Sequence, residues 1–115
     1  MATPAELLAI AERYYAGWEA KDRAAILETV VPDLEFRSPA DDFDSAAAFL
    51  DACLGPLGGM KFDWRCKLAG DDEVLVTYEM AGPTGPMPIA ESLRFAGGRI
   101  AAIRVYFGQK LPAPA

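Results

Sequence analysis

Hydrophobic positions change their period part-way along the chain. In the first third they recur at helical spacing, and from residue 60 they alternate. Leu7, Ala11, Tyr14 and Trp18 form one stripe, with Leu8 and Tyr15 beside it. Thr3-Pro4-Ala5-Glu6 opens that helix: Thr3 suits the cap, Pro4 the first helical position, and Glu6 completes a capping box. Asp22 caps a second helix carrying Ile26, Leu27, Val30 and Val31, which Pro32 is expected to end. From Asp33 to Ser38, Leu34, Phe36 and Ser38 alternate with Glu35 and Arg37, the pattern of a strand with one buried face, and Pro39 stops it. A polar loop with Asp41, Asp42 and Asp44 follows. Asp44 or Ser45 then caps a short helix with Phe49, Leu50, Cys53 and Leu54 inward. Gly55-Pro56-Leu57-Gly58-Gly59 predicts a turn.

Four longer strands come next. Phe62, Trp64, Cys66 and Leu68 alternate with Lys61, Asp63, Arg65 and Lys67 in the first. Val74, Val76, Tyr78 and Met80 share a face of the second; Ile89, Glu91, Leu93 and Phe95 of the third; Ile103, Val105 and Phe107 of the fourth. Turns fall at Ala69 to Asp72, at Gly82-Pro83-Thr84-Gly85-Pro86 and at Gly97-Gly98. The order predicts an α+β domain with helices on one face of an antiparallel meander. No repeat, linker or low-complexity segment divides it. Residues 1–110 form the expected domain, and Leu111 to Ala115 a Pro/Ala tail expected to fray.

Composition narrows the chemistry. A chain of 115 residues that is 52% hydrophobic and 24% charged is long enough for one domain with a real core. Eleven Lys and Arg against seventeen Asp and Glu leave a net charge of -6, which repels nucleic acid. The absence of histidine excludes Ser-His-Asp triads, His bases and most zinc sites; neither metal nor cofactor is expected. Cys53 and Cys66 are too few for a disulfide framework and are expected to be reduced core thiols. No apolar run is long enough to cross a membrane, and no basic start precedes an apolar stretch, so the expected setting is cytoplasmic, without a membrane partner. Lys61, Arg65 and Lys67 read as a solvated or subunit-facing stripe. Gly97-Gly98 is a turn and not a phosphate loop, because no helix follows it.

Several strings carry a resemblance. They are Arg13-Tyr14-Tyr15, the Lys21-Asp22 junction, Pro32-Asp33-Leu34-Glu35-Phe36-Arg37-Ser38-Pro39, Glu91-Ser92-Leu93-Arg94-Phe95 with Gly97-Gly98-Arg99-Ile100, and Arg104-Val105-Tyr106-Phe107-Gly108. In this order, spanning nearly the whole chain, they resemble the NTF2-like superfamily, in particular its SnoaL-like and ketosteroid-isomerase-like branch. The resemblance implies an α+β, cystatin-like cone: N-terminal helices packed on a curved antiparallel sheet around a deep apolar pocket. It also implies a homodimer through the outer sheet face, where Arg104 and Tyr106 fall. The limonene epoxide hydrolase-like branch fits less well, since Val76-Thr77-Tyr78 and Val105 stand where it places its acids and arginine. The scytalone dehydratase-like branch relies on histidines.

Ketosteroid isomerases move a proton with a Tyr and a protonated acid that hold an oxyanion, and an Asp that acts as base. By resemblance Tyr14 matches the Tyr and Glu91 the acid. Ser38, directly before Pro39, stands where the family has its base, and a serine without histidine is a poor one. Asp41 or Asp42 on the next loop is the substitute the sequence offers; a double acidic loop is otherwise simply solvated. Glu91 has apolar neighbours on its strand face, so its carboxyl is either a raised-pKa site acid, which Tyr14 could hydrogen-bond, or paired with Arg37, Arg94 or Arg104, or set at a wet rim. Tyr14, Tyr15 and Trp18 are either site residues or plain core aromatics. Trp18, Phe36, Ser38, Phe49, Phe62, Trp64, Val76, Tyr78, Leu93, Val105 and Phe107 are the candidate pocket wall for a small apolar ligand. Two functions follow: proton transfer next to a carbonyl, as in an isomerase or polyketide cyclase, or a ligand-binding or dimerisation module that lacks the base. A protein-interaction domain with a filled core is the third.

Overall fold

The computed structural model describes residues 2–82 and 85–108. The centre of the expected second turn and the expected tail lie outside the described residues. Three helices, α1 (Pro4–Glu19), α2 (Arg23–Thr29) and α3 (Ala46–Leu57), pack on an open, curved sheet. Its strands are β1 (Val30–Arg37), β2 (Asp42–Phe43), β3 (Asp63–Ala69), β4 (Glu73–Gly82), β5 (Gly85–Ala96) and β6 (Arg99–Tyr106), in spatial order β2-β1-β6-β5-β4-β3. This is the expected α+β class. The sheet is mixed, however, and not wholly antiparallel, because β1 runs parallel to β6.

Local chemistry sets the helix starts. Thr3 Oγ1 accepts from the Glu6 N–H and the Glu6 carboxylate accepts from the Thr3 N–H, so the capping box forms. Asp22 and Ser45 cap α2 and α3 by accepting from the Ala25 and Ala48 N–H groups. Gly97 and Gly98 both have positive φ, 59° and 78°, as a two-residue hairpin between β5 and β6 requires. The core lies between the helices and the concave face, with Leu34, Val74, Leu93 and Ile100 fully buried.

Three expectations are corrected. The second helix ends at Thr29, whose hydroxyl donates to the Ile26 carbonyl; Val30, Val31 and Pro32 belong to β1. β-Branched Val30 pairs with Ile100, and Pro32 sits in the register break between Val30 and Glu35, where its missing N–H disrupts no regular ladder. Leu27 is partly exposed instead of inward. The third helix runs through Gly55, Pro56 and Leu57, which are not a turn. Pro56 lies in its last turn, and the Gly58 N–H still closes onto the Leu54 carbonyl.

The third correction is a bulge. Trp64 pairs with Tyr78 but Cys66 pairs with Thr77, leaving Arg65 as an extra residue. Beyond it the alternation inverts. Lys67 and Ala69 turn inward, Cys66 and Leu68 turn out, and the expected basic stripe is broken. Lys67 Nζ lies 4.4 Å from the Trp64 ring centroid, covering its face. Cys66 is therefore an exposed thiol and Cys53 a half-buried one; neither is a core thiol, and both are free.

Candidate active site

The concave sheet and the helices enclose a cavity of about 200 Å³. α1 contributes Tyr14, Tyr15 and Trp18; α3 contributes Phe49, Cys53 and Leu57. Phe36 and Ser38 come from β1 and its end, Ala40 and Asp41 from the following loop, and Met60 and Phe62 from the approach to β3. Tyr78 and Met80 on β4, Met87, Ile89 and Glu91 on β5, then Val105 and Phe107, complete the wall.

The structure thus brings Tyr14, Glu91 and Asp41 to one cavity, together with Trp18, Phe36, Ser38, Phe49, Phe62, Tyr78, Val105 and Phe107. Four candidates lie elsewhere. Asp42 is exposed in β2, in register with Arg37, and does not line the cavity. Val76 and Leu93, 1% and 0% exposed, are closed inside the packed core. Trp64 does not reach the lining; it stacks on Phe62 with Lys67 over its ring. Tyr15, which the sequence left between site and core, also lines the wall, and Met60, Met80, Met87 and Ile89 are wall residues the sequence did not single out. Met80, Met87 and Ile89 were accessible to the same alternation that points Tyr78 and Glu91 inward.

Glu91 is 6% exposed, and its partner is Tyr78, whose hydroxyl donates to Oε2. Neither Tyr14 nor an arginine takes that place. Arg37 bonds Asp44 and two backbone carbonyls, and Arg94 reaches Glu73. Burial pushes the Glu91 carboxyl up to about 7, against the opposing pull of the Tyr78 and Tyr15 hydroxyls. Burial first, and the Glu91 charge second, hold the Tyr14 and Tyr15 phenols well above their ordinary range, so both remain neutral donors. Two of the buried donors in the wall have no hydrogen-bond partner among the described residues: the Tyr15 hydroxyl and the Trp18 indole N–H. The first sits beside Glu91 and acts on its charge without closing a bond.

Ser38 has a constructional part. Its hydroxyl donates to the Asp41 carbonyl at 2.9 Å and accepts from the Asp41 and Ala40 N–H groups at 3.0 and 3.2 Å. The Ser38 hydroxyl is therefore saturated, and what it builds is the turn that sets Asp41 beside the cavity. Among the described residues, no three His, Cys, Asp or Glu side chains converge as a metal site.

The SnoaL-like domain profile matches residues 11–103. The chain belongs to the SnoaL-like domain family. The superfamily inferred from the sequence strings is thereby shown. Solved structures resemble this SnoaL-like chain along most of their length. A protein from Kribbella flavida named as a candidate ketosteroid isomerase superimposes with a TM-score of 0.84 at 12% identity, covering 97% of this chain and 84% of that one. A SnoaL-like protein of unknown function from Burkholderia thailandensis gives 0.74 at 22%, covering 93% and 98%. A candidate polyketide cyclase from Sinorhizobium meliloti gives 0.75 at 20%, covering 85% and 94%. At these identities the likeness is one of fold. None of the curated proteins matches the chain in sequence. No helix among the described residues of this SnoaL-like domain is long and apolar enough to cross a membrane.

Proposed function

We propose that this SnoaL-like chain transfers a proton next to a carbonyl on a small, mostly apolar substrate, as an isomerase or cyclase does. The observation that carries it is Glu91: a carboxyl buried in an apolar cavity, held by Tyr78, with neutral Tyr14 in the same wall. A carboxyl kept protonated by burial donates a hydrogen bond to developing negative charge. In the reaction the Asp41 carboxylate takes the proton from the α-carbon. The C–H electron pair becomes the enolate π bond and the carbonyl π pair moves to oxygen. Glu91 and Tyr14 donate hydrogen bonds to that oxygen, and Asp41 returns the proton to the same or a conjugated carbon. Ser38 positions Asp41 and moves no proton.

A second function has its own observation. The Ser38 hydroxyl is saturated and Asp41 is exposed at the mouth, which suits a binding module without a base. One experiment separates the two. 2-Tetralone is a small bicyclic ketone with acidic α-protons, and 2-naphthol is a flat mimic of its enol. Wild type is expected to bind 2-naphthol and to speed α-proton exchange of 2-tetralone in D₂O, followed by NMR. Asp41→Asn is expected to keep binding and lose about 100-fold or more of the exchange rate; Glu91→Leu is expected to lose both. Binding without accelerated exchange in wild type replaces the enzyme with the binding module. Absence of 2-naphthol binding removes both.

For assembly we propose a homodimer through the outer sheet face, supported by exposed Leu68, Leu75 and Tyr106. Sedimentation at monomer mass at micromolar concentration rejects it.

A further inference from the structure

The methionines of this chain are not spread along it in space. Of four in the sequence, Met60, Met80 and Met87 all line the cavity, and all three are half-buried. The register gathers them at one end. Along the β4–β5 hairpin the inward-facing pairs are Val74 with Leu93, Val76 with Glu91, Tyr78 with Ile89, and then Met80 with Met87. β3 starts at Asp63, opposite Glu79, so Met60 approaches the sheet at the same end as the Met80–Met87 pair. Glu91 and Met87 are four residues apart on β5, which sets their backbone levels roughly 13 Å apart at about 3.3 Å per residue. Strand positions favour β-branched and aromatic side chains, as at Val74, Val76, Tyr78 and Ile89. Both members of the last pair instead carry an unbranched thioether, whose rotatable bonds let it follow the shape of what it touches. The cavity thus has a polar end, fixed by the Tyr78–Glu91 hydrogen bond, and an adaptable apolar end made of methionine.

We infer that the substrate is elongated: an oxygen-bearing head held at Glu91 and a flexible, uncharged hydrocarbon tail received by Met60, Met80 and Met87. Reach and chemistry agree. A single ring bonded to Glu91 spans only part of the distance to the Met80–Met87 level, so what fills the methionine end is a substituent on that ring. A cavity of about 200 Å³ exceeds the roughly 150 Å³ that suffices for benzene, which leaves room for a few carbons beyond one ring. A thioether is at most a weak acceptor and carries no charge, so this end rewards apolar contact and not a polar or ionic group. Unbranched side chains on both strands accept tails of different shape, whereas the length of the tail is limited by the reach of the pair. The three methionines are then specificity-determining residues, distinct from the groups that handle the reacting oxygen. This assignment rests on the proton-transfer reading for the head, and its test reads the tail alone.

The probes are 4-methyl-, 4-ethyl-, 4-propyl-, 4-butyl- and 4-hexylphenol, which keep one head and lengthen the tail. Dissociation constants come from NMR titration of wild type and of a double variant, Met80→Thr with Met87→Thr, whose side chains suit a strand and are shorter and more polar. A fully buried methylene is worth about 4-fold in affinity. Wild type is expected to gain about 2- to 4-fold per added carbon and then to stop gaining once the tail outgrows the cavity. In the double variant 4-methylphenol is expected to bind about as in wild type, while the advantage of 4-butylphenol over it falls about 5-fold or more. With four methionines in the chain, a methyl-¹³C-methionine spectrum of wild type gives a second readout that needs no variant to fold. The Met80 and Met87 methyl signals are expected to move with 4-butylphenol and far less with 4-methylphenol. No gain with tail length, a gain undiminished in the double variant, or methyl signals that respond equally to short and long tails overturns the assignment and leaves the Glu91 site standing. Failure of every phenol to bind overturns both.

Discussion

Tyr78 and Glu91 are joined across two neighbouring strands, side chain to side chain, inside the cavity. They are not direct partners: Val76 faces Glu91 and Tyr78 faces Ile89. Diagonal neighbours on one sheet face lie about 7–8 Å apart, a span that a tyrosine and a glutamate bridge. The donated hydrogen bond favours the ionised carboxyl and so restrains the rise that burial imposes. Tyr78→Phe keeps the ring and removes that restraint. The Glu91 carboxyl is expected to titrate higher than in wild type, with about 1–2 kcal/mol of stability lost. A ¹³C-detected titration of the two proteins measures this directly. An unchanged or lower value in the variant dissolves the coupling.

Glu91 also makes stability depend on pH. Its carboxyl stands at about 7 in the folded chain against 4.5 as the ordinary value. Raised in the fold, it binds its proton more tightly there than in the unfolded chain. The associated stability is complete below about 4.5 and is lost as pH rises through about 7. A shift of this size corresponds to about 3 kcal/mol. Wild type is expected to lose thermal stability between pH 5 and pH 8, and Glu91→Gln, which carries no titrating group there, to lose less. Parallel curves for the two proteins would remove Glu91 as the source.

How much of this was legible beforehand depends on the scale of the feature. The capping box at Thr3 and Glu6, the Gly97-Gly98 hairpin and the inward faces of β4, β5 and β6 are written in local residue types, and each formed as read. The bulge at Arg65 was not legible. Phe62, Trp64, Cys66 and Leu68 alternate without fault, and only pairing with β4 shows that Arg65 is extra. Val30 and Val31 suited helical spacing, but the parallel partner β6 lies about seventy residues on and drew them into a strand. At the site, the face of Glu91 was evident from its apolar neighbours. Its partner depended on register: the hairpin that sets Val76 against Glu91 also sets Tyr78 diagonal to it. The part of Ser38 became clear only when its hydroxyl was seen to be saturated by the Asp41 and Ala40 backbone.

The two thiols report on the bulge and on the cavity separately. Cys66 is exposed because the bulge turns it outward, whereas Cys53 is half-buried in the cavity wall. Burial and the neighbouring Asp41 charge push the Cys53 thiol up, which leaves less of the reactive thiolate. A disulfide reagent such as DTNB is expected to modify Cys66 quickly and Cys53 slowly. Saturating 2-naphthol is expected to slow Cys53 further and leave Cys66 unchanged. Single variants Cys53→Ser and Cys66→Ser assign the phases. Equal rates for the two thiols would contradict the placement of β3.

Gly17 of α1 packs against Ile26 of α2. A Cβ built there falls 2.7 Å from Ile26 Cγ1 and 3.3 Å from the Ile26 backbone nitrogen. Ile26 is 1% exposed, so its side chain has no free space to yield into. In an open helix, Gly→Ala stabilises by about 1 kcal/mol through propensity. Here overpacking, at about 1–3 kcal/mol, opposes that gain and is expected to exceed it. Gly17→Ala should therefore lower Tm by several degrees. The cause is tested by a second change. Ile26→Ala removes Cγ1 and, alone, costs about 2–5 kcal/mol through the cavity it leaves. In the double variant the new methyl enters that cavity, so the combined loss is expected to be smaller than the sum of the two single losses. Additive losses would mean that the two helices do not touch through this pair. A gain in Tm for Gly17→Ala alone would mean that they separate at little cost.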